Sequence, residues 1–136
     1  MPLIKDFNKY VIGIEIADKH HKNLLDIVNE LYDSLLKGAN KELILHYLKR
    51  LELFSLTHFK AEEELMLRVG YPDFTNHKAI HAKFIEEMYE FKILNQLKPI
   101  GKDLITYLIS WIMEHILVVD KKYADFIKDN KKEESW

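Results

Sequence analysis

The sequence contains no cysteine, only four glycines and only three prolines among its 136 residues. Without cysteine the chain forms no disulfides, no thiolate-bound metal sites and no iron–sulfur clusters. Any metal ion would therefore have to be bound by histidine, aspartate or glutamate. Because so few residues interrupt a helix, the composition favours long helices. Hydrophobic side chains make up 48% of the chain, enough for one core, and we expect a single domain over residues 1–136.

An excess of charge of one sign is also missing. The 20 lysines and arginines nearly balance the 22 aspartates and glutamates, and the two signs are mixed along the chain. This pattern argues against a nucleic-acid partner. There is no apolar run of about 18 residues, the length that a membrane span requires. The first six residues lack the hydrophobic segment of a signal peptide. We therefore expect a cytoplasmic protein without a membrane span.

Apolar residues recur at spacings of three and four in four stretches, which is the pattern of amphipathic helices. The predicted helices cover residues 18–37, 40–68, 75–95 and 99–129, after an extended N-terminal arm at residues 1–17. We predict N-caps at Asp18 and Asn40, a helix-terminating glycine at Gly38, and Pro99 at the first helical position. Short connections between four helices predict an all-α fold, an antiparallel up-down-up-down four-helix bundle.

Histidines occupy positions inside these apolar stripes. They are His21, His58, His77, His81 and His115. Residues four apart share one face of a helix, so His58 and Glu62 point the same way, as do His77 and His81. A buried imidazole needs partners for its ring nitrogens, and five in one small core cannot all be satisfied by nearby backbone. Imidazoles and carboxylates that converge inside a helical bundle predict a metal site.

The number of candidate ligands exceeds what one ion needs. Glu62 and Asp120 add two carboxylates to the five imidazoles, which makes seven side chains in all. Two ions that share the carboxylates fit this number. Nitrogen and oxygen ligands without sulfur suit iron, manganese or zinc.

The spacing between His115 and Asp120 does not fit a regular helix. The two residues are five apart, which places them about 140° out of alignment at 3.6 residues per turn. The apolar stripe shifts at the same place, from positions 108, 111 and 115 to positions 120, 123 and 127. One extra residue in a single wide turn would bring Asp120 back to the face of His115 and would also account for the shift of the stripe. Such π-bulges often occur at functional sites. We therefore predict a π-bulge between His115 and Asp120.

Several segments together resemble one known family over nearly the whole chain. They are Gly13-Ile-Glu-Ile-Ala-Asp-Lys-His-His-Lys22, His58-Phe-Lys-Ala-Glu-Glu-Glu-Leu-Met66, Gly70-Tyr-Pro72, His77-Lys-Ala-Ile-His81 and Trp111-Ile-Met-Glu-His-Ile-Leu-Val-Val-Asp120. The set resembles the hemerythrins, and within them the single-domain bacteriohemerythrins. The resemblance implies a non-haem di-iron centre that binds O2 reversibly, for storage, delivery or sensing. It also implies a binding protein rather than an enzyme.

The resemblance further assigns roles to individual residues. It implies that His77, His81 and His115 bind one iron, and that His21 and His58 bind the other. Glu62 and Asp120 would bridge the two ions, together with an oxo or hydroxo group. O2, or in its place nitric oxide or a small anion such as azide, would bind at an open position of the second iron. The residues expected to line the O2 pocket are Phe59, Trp111, Ile112, Ile116, Leu24 and Leu25.

Other functions and other readings of single residues remain open from the sequence. A di-iron enzyme acting on peroxide or nitric oxide is one alternative, and iron storage is another. Ferritin-like sites use Glu-x-x-His pairs, whereas the pairs here are spaced by four. We expect His20 and His46 to be exposed, Glu63 and Glu64 to lie on a solvated face, and Tyr123 to serve mainly in packing.

Overall fold

The computed structural model describes residues 3–130, and within them the chain forms a four-helix bundle without β-strands. The helices are α1 (Glu15–Leu36), α2 (Lys41–Val69), α3 (Phe74–Asn95), α4 (Gly101–Glu114) and α5 (Lys121–Asp129). A π-helical segment, His115–Asp120, joins α4 to α5, so that the three pieces form the fourth rod of the bundle. A short 3-10 turn, Phe7–Tyr10, precedes α1. The predicted fold class is confirmed.

Local signals stop α1 and α2 where the sequence predicts. Gly38 follows the C-cap of α1 with φ +83°, and Gly70 is the C-cap of α2 with φ +69°. Both values lie in the left-handed region, which glycine adopts without steric cost. The Asn40 side chain accepts a hydrogen bond from the backbone N–H of Leu43 at 2.9 Å and so caps the start of α2. These tight ends allow α1, α2 and α3 to fold back on one another.

The start of α1 differs from the prediction. The helix begins at Glu15, three residues before Asp18, and its N-cap is Ile14. The Asp18 carboxylate instead accepts hydrogen bonds from the backbone N–H groups of Ile12 (2.7 Å) and Gly13 (3.1 Å). Asp18 therefore fixes the segment before the helix from a position inside the first turn.

The N-terminal arm is correspondingly shorter than predicted and is not extended throughout. Its described part contains the 3-10 turn, and Ile4, Tyr10, Ile12 and Ile14 are buried in the core. The amide of Asn29 on α1 anchors the start of the arm. It accepts from the N–H of Ile4 at 2.7 Å and donates to the carbonyl of the same residue at 2.9 Å. Residues 1 and 2 of the predicted arm lie outside the described residues.

Pro99 does not occupy the first helical position. The structure starts α4 at Gly101 and places Ile100 at the N-cap, where its carbonyl accepts from the N–H of Leu104 at 2.8 Å. Ile100 is buried, so core packing determines where the rod begins. The third helix begins at Phe74, one residue before the predicted position, and ends at Asn95 as predicted.

Apolar side chains fill the bundle on both sides of a polar middle. Fully buried residues include Leu48 and Leu51 on α2, Met88 on α3, and Leu104 on α4. No helix within residues 3–130 combines the length and the apolar character that crossing a membrane requires.

Candidate metal centre

The seven predicted ligand residues meet at one point inside the bundle. His21 comes from α1, His58 and Glu62 from α2, His77 and His81 from α3, and His115 and Asp120 from the π-helical segment. Each side chain is 3% exposed or less, and the two carboxylates are completely buried. All four rods therefore contribute polar groups to a region from which solvent is excluded.

The seven residues form two overlapping groups whose potential ligand atoms lie within 4.8 Å of one another. The first group comprises Glu62, His77, His81, His115 and Asp120; the second comprises His21, His58, Glu62 and Asp120. The two carboxylates belong to both groups. This division is the one that the family resemblance implies for two ions.

Distances between the facing atoms are short. His77 Nε2 lies 3.1 Å from Glu62 Oε1 and 2.9 Å from Asp120 Oδ1, and His21 Nε2 lies 2.9 Å from Asp120 Oδ2. Two ligand atoms at about 2.1 Å from one first-row metal ion and at right angles to each other would be separated by about 3 Å. The observed separations therefore match the distances between neighbouring ligand atoms around a single metal ion.

Several of these atoms are aligned poorly for hydrogen bonds to each other. Asp120 Oδ1 lies within 3.0 Å of both His77 Nε2 and His115 Nε2, yet it forms no hydrogen bond with either. His58 Nε2 is buried and also has no hydrogen-bond partner. Buried polar atoms without partners are costly and therefore rare. Inward-facing nitrogens and oxygens that converge on shared points, rather than on each other, fit a metal ion.

The π-helical segment brings the last two ligand candidates to the same side of the rod. His115 opens the segment and Asp120 closes it, and both are buried, whereas Val118 between them is 42% exposed. The wide turn absorbs one extra residue, so that Tyr123 and Ile127 of α5 also return to the core. The predicted π-bulge is confirmed.

The electrostatics of the site favour ionised carboxylates. Burial raises the pKa of Glu62, but the histidines that face its carboxylate from α2, α3 and the π-helical segment outweigh that effect, and the pKa lies well below its usual range. Burial and the neighbouring Glu62 also oppose ionisation of Asp120, yet His115 and His21 hold its pKa well below the usual range. The centre therefore contains two buried negative charges that require positive partners.

The histidines divide into two electrostatic classes. Burial lowers the pKa of His58 to about 3, so this ring is neutral. Burial acts in the same direction on His77, but the nearby carboxylates of Asp120 and Glu62 outweigh it and raise its pKa to about 9. The same carboxylates raise the pKa of His115. Without metal, protons on these rings offset the carboxylate charge, and a metal cation would replace those protons.

Tyr123 has a role that packing alone does not describe. Its hydroxyl donates a hydrogen bond to Glu62 Oε2 at 3.0 Å, and the side chain is fully buried. Burial and the two carboxylates raise the pKa of Tyr123 well above its usual value, which keeps the hydroxyl protonated as a donor. The sequence led us to expect mainly packing from Tyr123, whereas the structure adds this hydrogen bond to one of the two carboxylates.

Aromatic rings lie against two of the histidines. Phe59 stacks on His81 with ring centroids 3.9 Å apart and planes 2° apart. Trp111 stacks on His115 at 4.2 Å and 13°. The other residues predicted for the O2 pocket are buried on α1, α4 and the π-helical segment, each within four residues of a ligand candidate in the sequence: Leu24, Leu25, Ile112 and Ile116. Trp111 is only half-buried.

Two residues next to the cluster differ from their predictions. Glu63 is not simply a solvated side chain, because its carboxylate lies 2.8 Å from His81 Nδ1 and is only 19% exposed. His20 is half-buried, and its Nδ1 lies 2.9 Å from Nδ1 of His58. Helical periodicity missed both because each is adjacent in sequence to a ligand candidate and off its stripe. His46 and Glu64 are exposed, as predicted.

Comparison with known proteins also indicates a metal-binding helical domain. The family model described as the hemerythrin HHE cation binding domain matches residues 12–127. The chain is 33% identical over 121 residues to a bacteriohemerythrin of Stenotrophomonas maltophilia, covering 86% of this chain and 76% of the relative. It is 30% identical over 126 residues to a bacteriohemerythrin of Clostridium acetobutylicum, covering 87% and 96%.

Solved structures of hemerythrins have the same fold as this chain. A crystal structure of wild-type hemerythrin superimposes with a TM-score of 0.81 at 30% sequence identity, covering 90% of this chain and 95% of that one. The resemblance noted in the sequence is thereby confirmed: this chain belongs to the hemerythrin family.

Proposed function

We propose that this chain holds two iron ions at the seven-residue cluster. In this proposal His77, His81 and His115 bind one ion, His21 and His58 bind the other, and both carboxylates bridge them. The support is the overlap of the two residue groups at Glu62 and Asp120, together with the partnerless inward-facing nitrogen of His58. An oxo or hydroxo group would complete the bridge.

The proposed activity is reversible O2 binding. When bound, reduced iron supplies the electrons that hold O2. The groups differ in size: five residues surround one point and four surround the other, with two shared. The ion with fewer protein ligands would therefore keep an open position for O2. Nitric oxide or a small anion such as azide would compete for that position.

The protein's own contribution is to orient the ligands and exclude water. The cluster is buried: each of its side chains is 3% exposed or less, and both carboxylates are at 0% exposure. Apolar side chains predicted for the pocket, such as Ile112 and Ile116, are 1% exposed and present no proton donors to a bound molecule. A dry pocket slows proton delivery, and so favours release of O2 over its further reduction.

The observation that carries this proposal is the convergence of five imidazoles and only two carboxylates on one enclosed point in a hemerythrin fold. The test is to add O2 to the anaerobic, iron-loaded and reduced protein and to record the visible spectrum. We expect an absorption band that appears with O2 and disappears when O2 is removed, over repeated cycles. Rapid and irreversible conversion to the ferric protein would contradict reversible binding and favour a di-iron enzyme.

A further inference from the structure

Glu63 contacts the candidate centre without belonging to the seven residues. It follows Glu62 on α2, and its carboxylate oxygen accepts a hydrogen bond from His81 Nδ1 at 2.8 Å. The opposite nitrogen of the same ring, Nε2, faces the cluster, 2.9 Å from Glu62 Oε1. The imidazole of His81 thus links the interior of the site to a carboxylate outside it.

The other candidate ligands lack such a partner. Nδ1 of His21, His77 and His115 is buried with no hydrogen-bond partner. Nδ1 of His58 meets the ring of His20, which is not a carboxylate. Within the described residues, His81 is therefore the one candidate ligand whose outer nitrogen is paired with an acidic side chain.

Two contacts together fix the ring of His81. Stacking on Phe59, with planes 2° apart, sets the plane of the imidazole. Stacking alone does not determine which edge of the ring faces inward, because a half-turn about the Cβ–Cγ bond leaves the plane unchanged but puts the carbon Cε1 in the place of Nε2. The hydrogen bond to Glu63 selects the orientation and the tautomer with the proton on Nδ1, which leaves Nε2 free to bind a metal.

The carboxylate of Glu63 is accessible from one side. A surface cleft of about 400 Å³ between α2 and α3 is lined by Glu63 and His81, among other residues. Glu63 remains 19% exposed, whereas Glu62 is completely buried. A third negative charge therefore lies one imidazole away from the centre, and water screens it only in part.

We propose that Glu63 is a positioning residue for His81, and that its charge makes His81 a stronger donor to the ion it binds. This inference rests on the proposed di-iron function. A carboxylate hydrogen-bonded to a ligating histidine orients the ring and raises its basicity. A more basic ligand and a nearby negative charge both favour the ferric state, so that Glu63 lowers the reduction potential of the centre.

The experiment compares Glu63→Gln and Glu63→Ala with the wild type, and uses Glu64→Gln as the matched control. The glutamine variant keeps a hydrogen-bond acceptor but loses the charge, and the alanine variant loses both. Glu64 is the exposed neighbour on the same helix, so Glu64→Gln removes an equal charge from the surface. Each protein is loaded with iron, and two quantities are measured: iron affinity by competition with a chelator, and the midpoint potential.

We expect Glu63→Ala to weaken iron binding by roughly 10- to 100-fold, the range found for partners of ligating histidines. Glu63→Gln should retain more of the affinity, yet shift the midpoint potential to more positive values. Glu64→Gln should match the wild type in both. Zinc-loaded samples give a further readout, since the Nδ1 proton of His81 should exchange with water more slowly in the wild type than in Glu63→Ala.

The inference is overturned if Glu63→Gln and Glu63→Ala both match Glu64→Gln in affinity and potential while the wild type holds two irons. If Glu63→Ala does not fold, the potential of Glu63→Gln decides alone. A wild type that fails to bind iron at all would instead overturn the proposed function, and the two failures are thereby distinguished.

Discussion

At the scale of single residues, sequence spacing was enough to select the ligand candidates on α2 and α3, whereas Asp120 and the choice of His21 over His20 also depended on the family resemblance. His58 with Glu62, and His77 with His81, are one helical turn apart, and periodicity alone places each pair on one face. All seven predicted side chains do come together. The contacts that spacing could not show are those made by neighbours of the ligands. Glu63 is turned about 100° from Glu62 around the helix, so only the position of α3 reveals that it reaches His81.

Removal of one candidate ligand should lower the metal content. We predict that His77→Ala and Glu62→Ala each bind fewer than two irons per chain, since His77 belongs to one group of ligands and Glu62 to both. Iron is measured by colorimetric assay after reconstitution and gel filtration. The control is His46→Ala, which removes an exposed histidine on α2. Two irons per chain in both ligand variants would contradict the assignment.

At the scale of elements, the sequence predicted helices well and their starts less well. Stripes of apolar residues and the glycines at 38 and 70 gave the ends of α1 and α2 to within one residue. Asp18 and Pro99 misled because each is a common helix-start residue. The tertiary structure uses Asp18 to hold the preceding segment and buries Ile100 as the N-cap of α4. Local helix propensity contains no information about either of these tertiary contacts.

The π-helical segment yields a prediction about chain length. Deletion of Val118, which is 42% exposed, removes the extra residue and should give a regular helix with the stripe of α5 still facing the core. Insertion of an alanine after Val118 should instead rotate α5 by about 100° and expose Tyr123. We expect cooperative urea unfolding, followed by circular dichroism at 222 nm, to survive the deletion and to be lost or strongly weakened by the insertion. Equal destabilisation by both changes would contradict this account of the segment.

At the scale of the whole molecule, the buried cluster links the stability of the bundle to pH. In the metal-free protein His58 has its pKa lowered from 6.5 to about 3. The unfolded chain therefore binds a proton that the folded chain does not, and stability falls as pH decreases from about 6.5 towards 3. His77 has its pKa raised from 6.5 to about 9, so its stabilising contribution is complete below 6.5 and is lost as pH rises towards 9.

We thus predict that the free energy of unfolding of the metal-free protein is largest near pH 6 to 7. It should decline on both sides by about 1 kcal/mol per pH unit for each titrating histidine. Urea unfolding at pH 5, 6.5 and 8.5 measures it. His58→Leu should flatten the acid side and leave the alkaline side in place. A stability that does not change between pH 5 and 8.5 would contradict the electrostatic description of the site.

The two shared carboxylates also have a consequence for how the protein takes up metal ions. Glu62 and Asp120 belong to both groups of candidate ligands. Under the proposed function, a first ion would displace protons from the histidine partners of these carboxylates and hold their oxygens in place, so that a second ion would meet a site already assembled. Under the proposed function, half-filled molecules should be scarce: a sample given one equivalent of iron should divide into empty and doubly loaded chains.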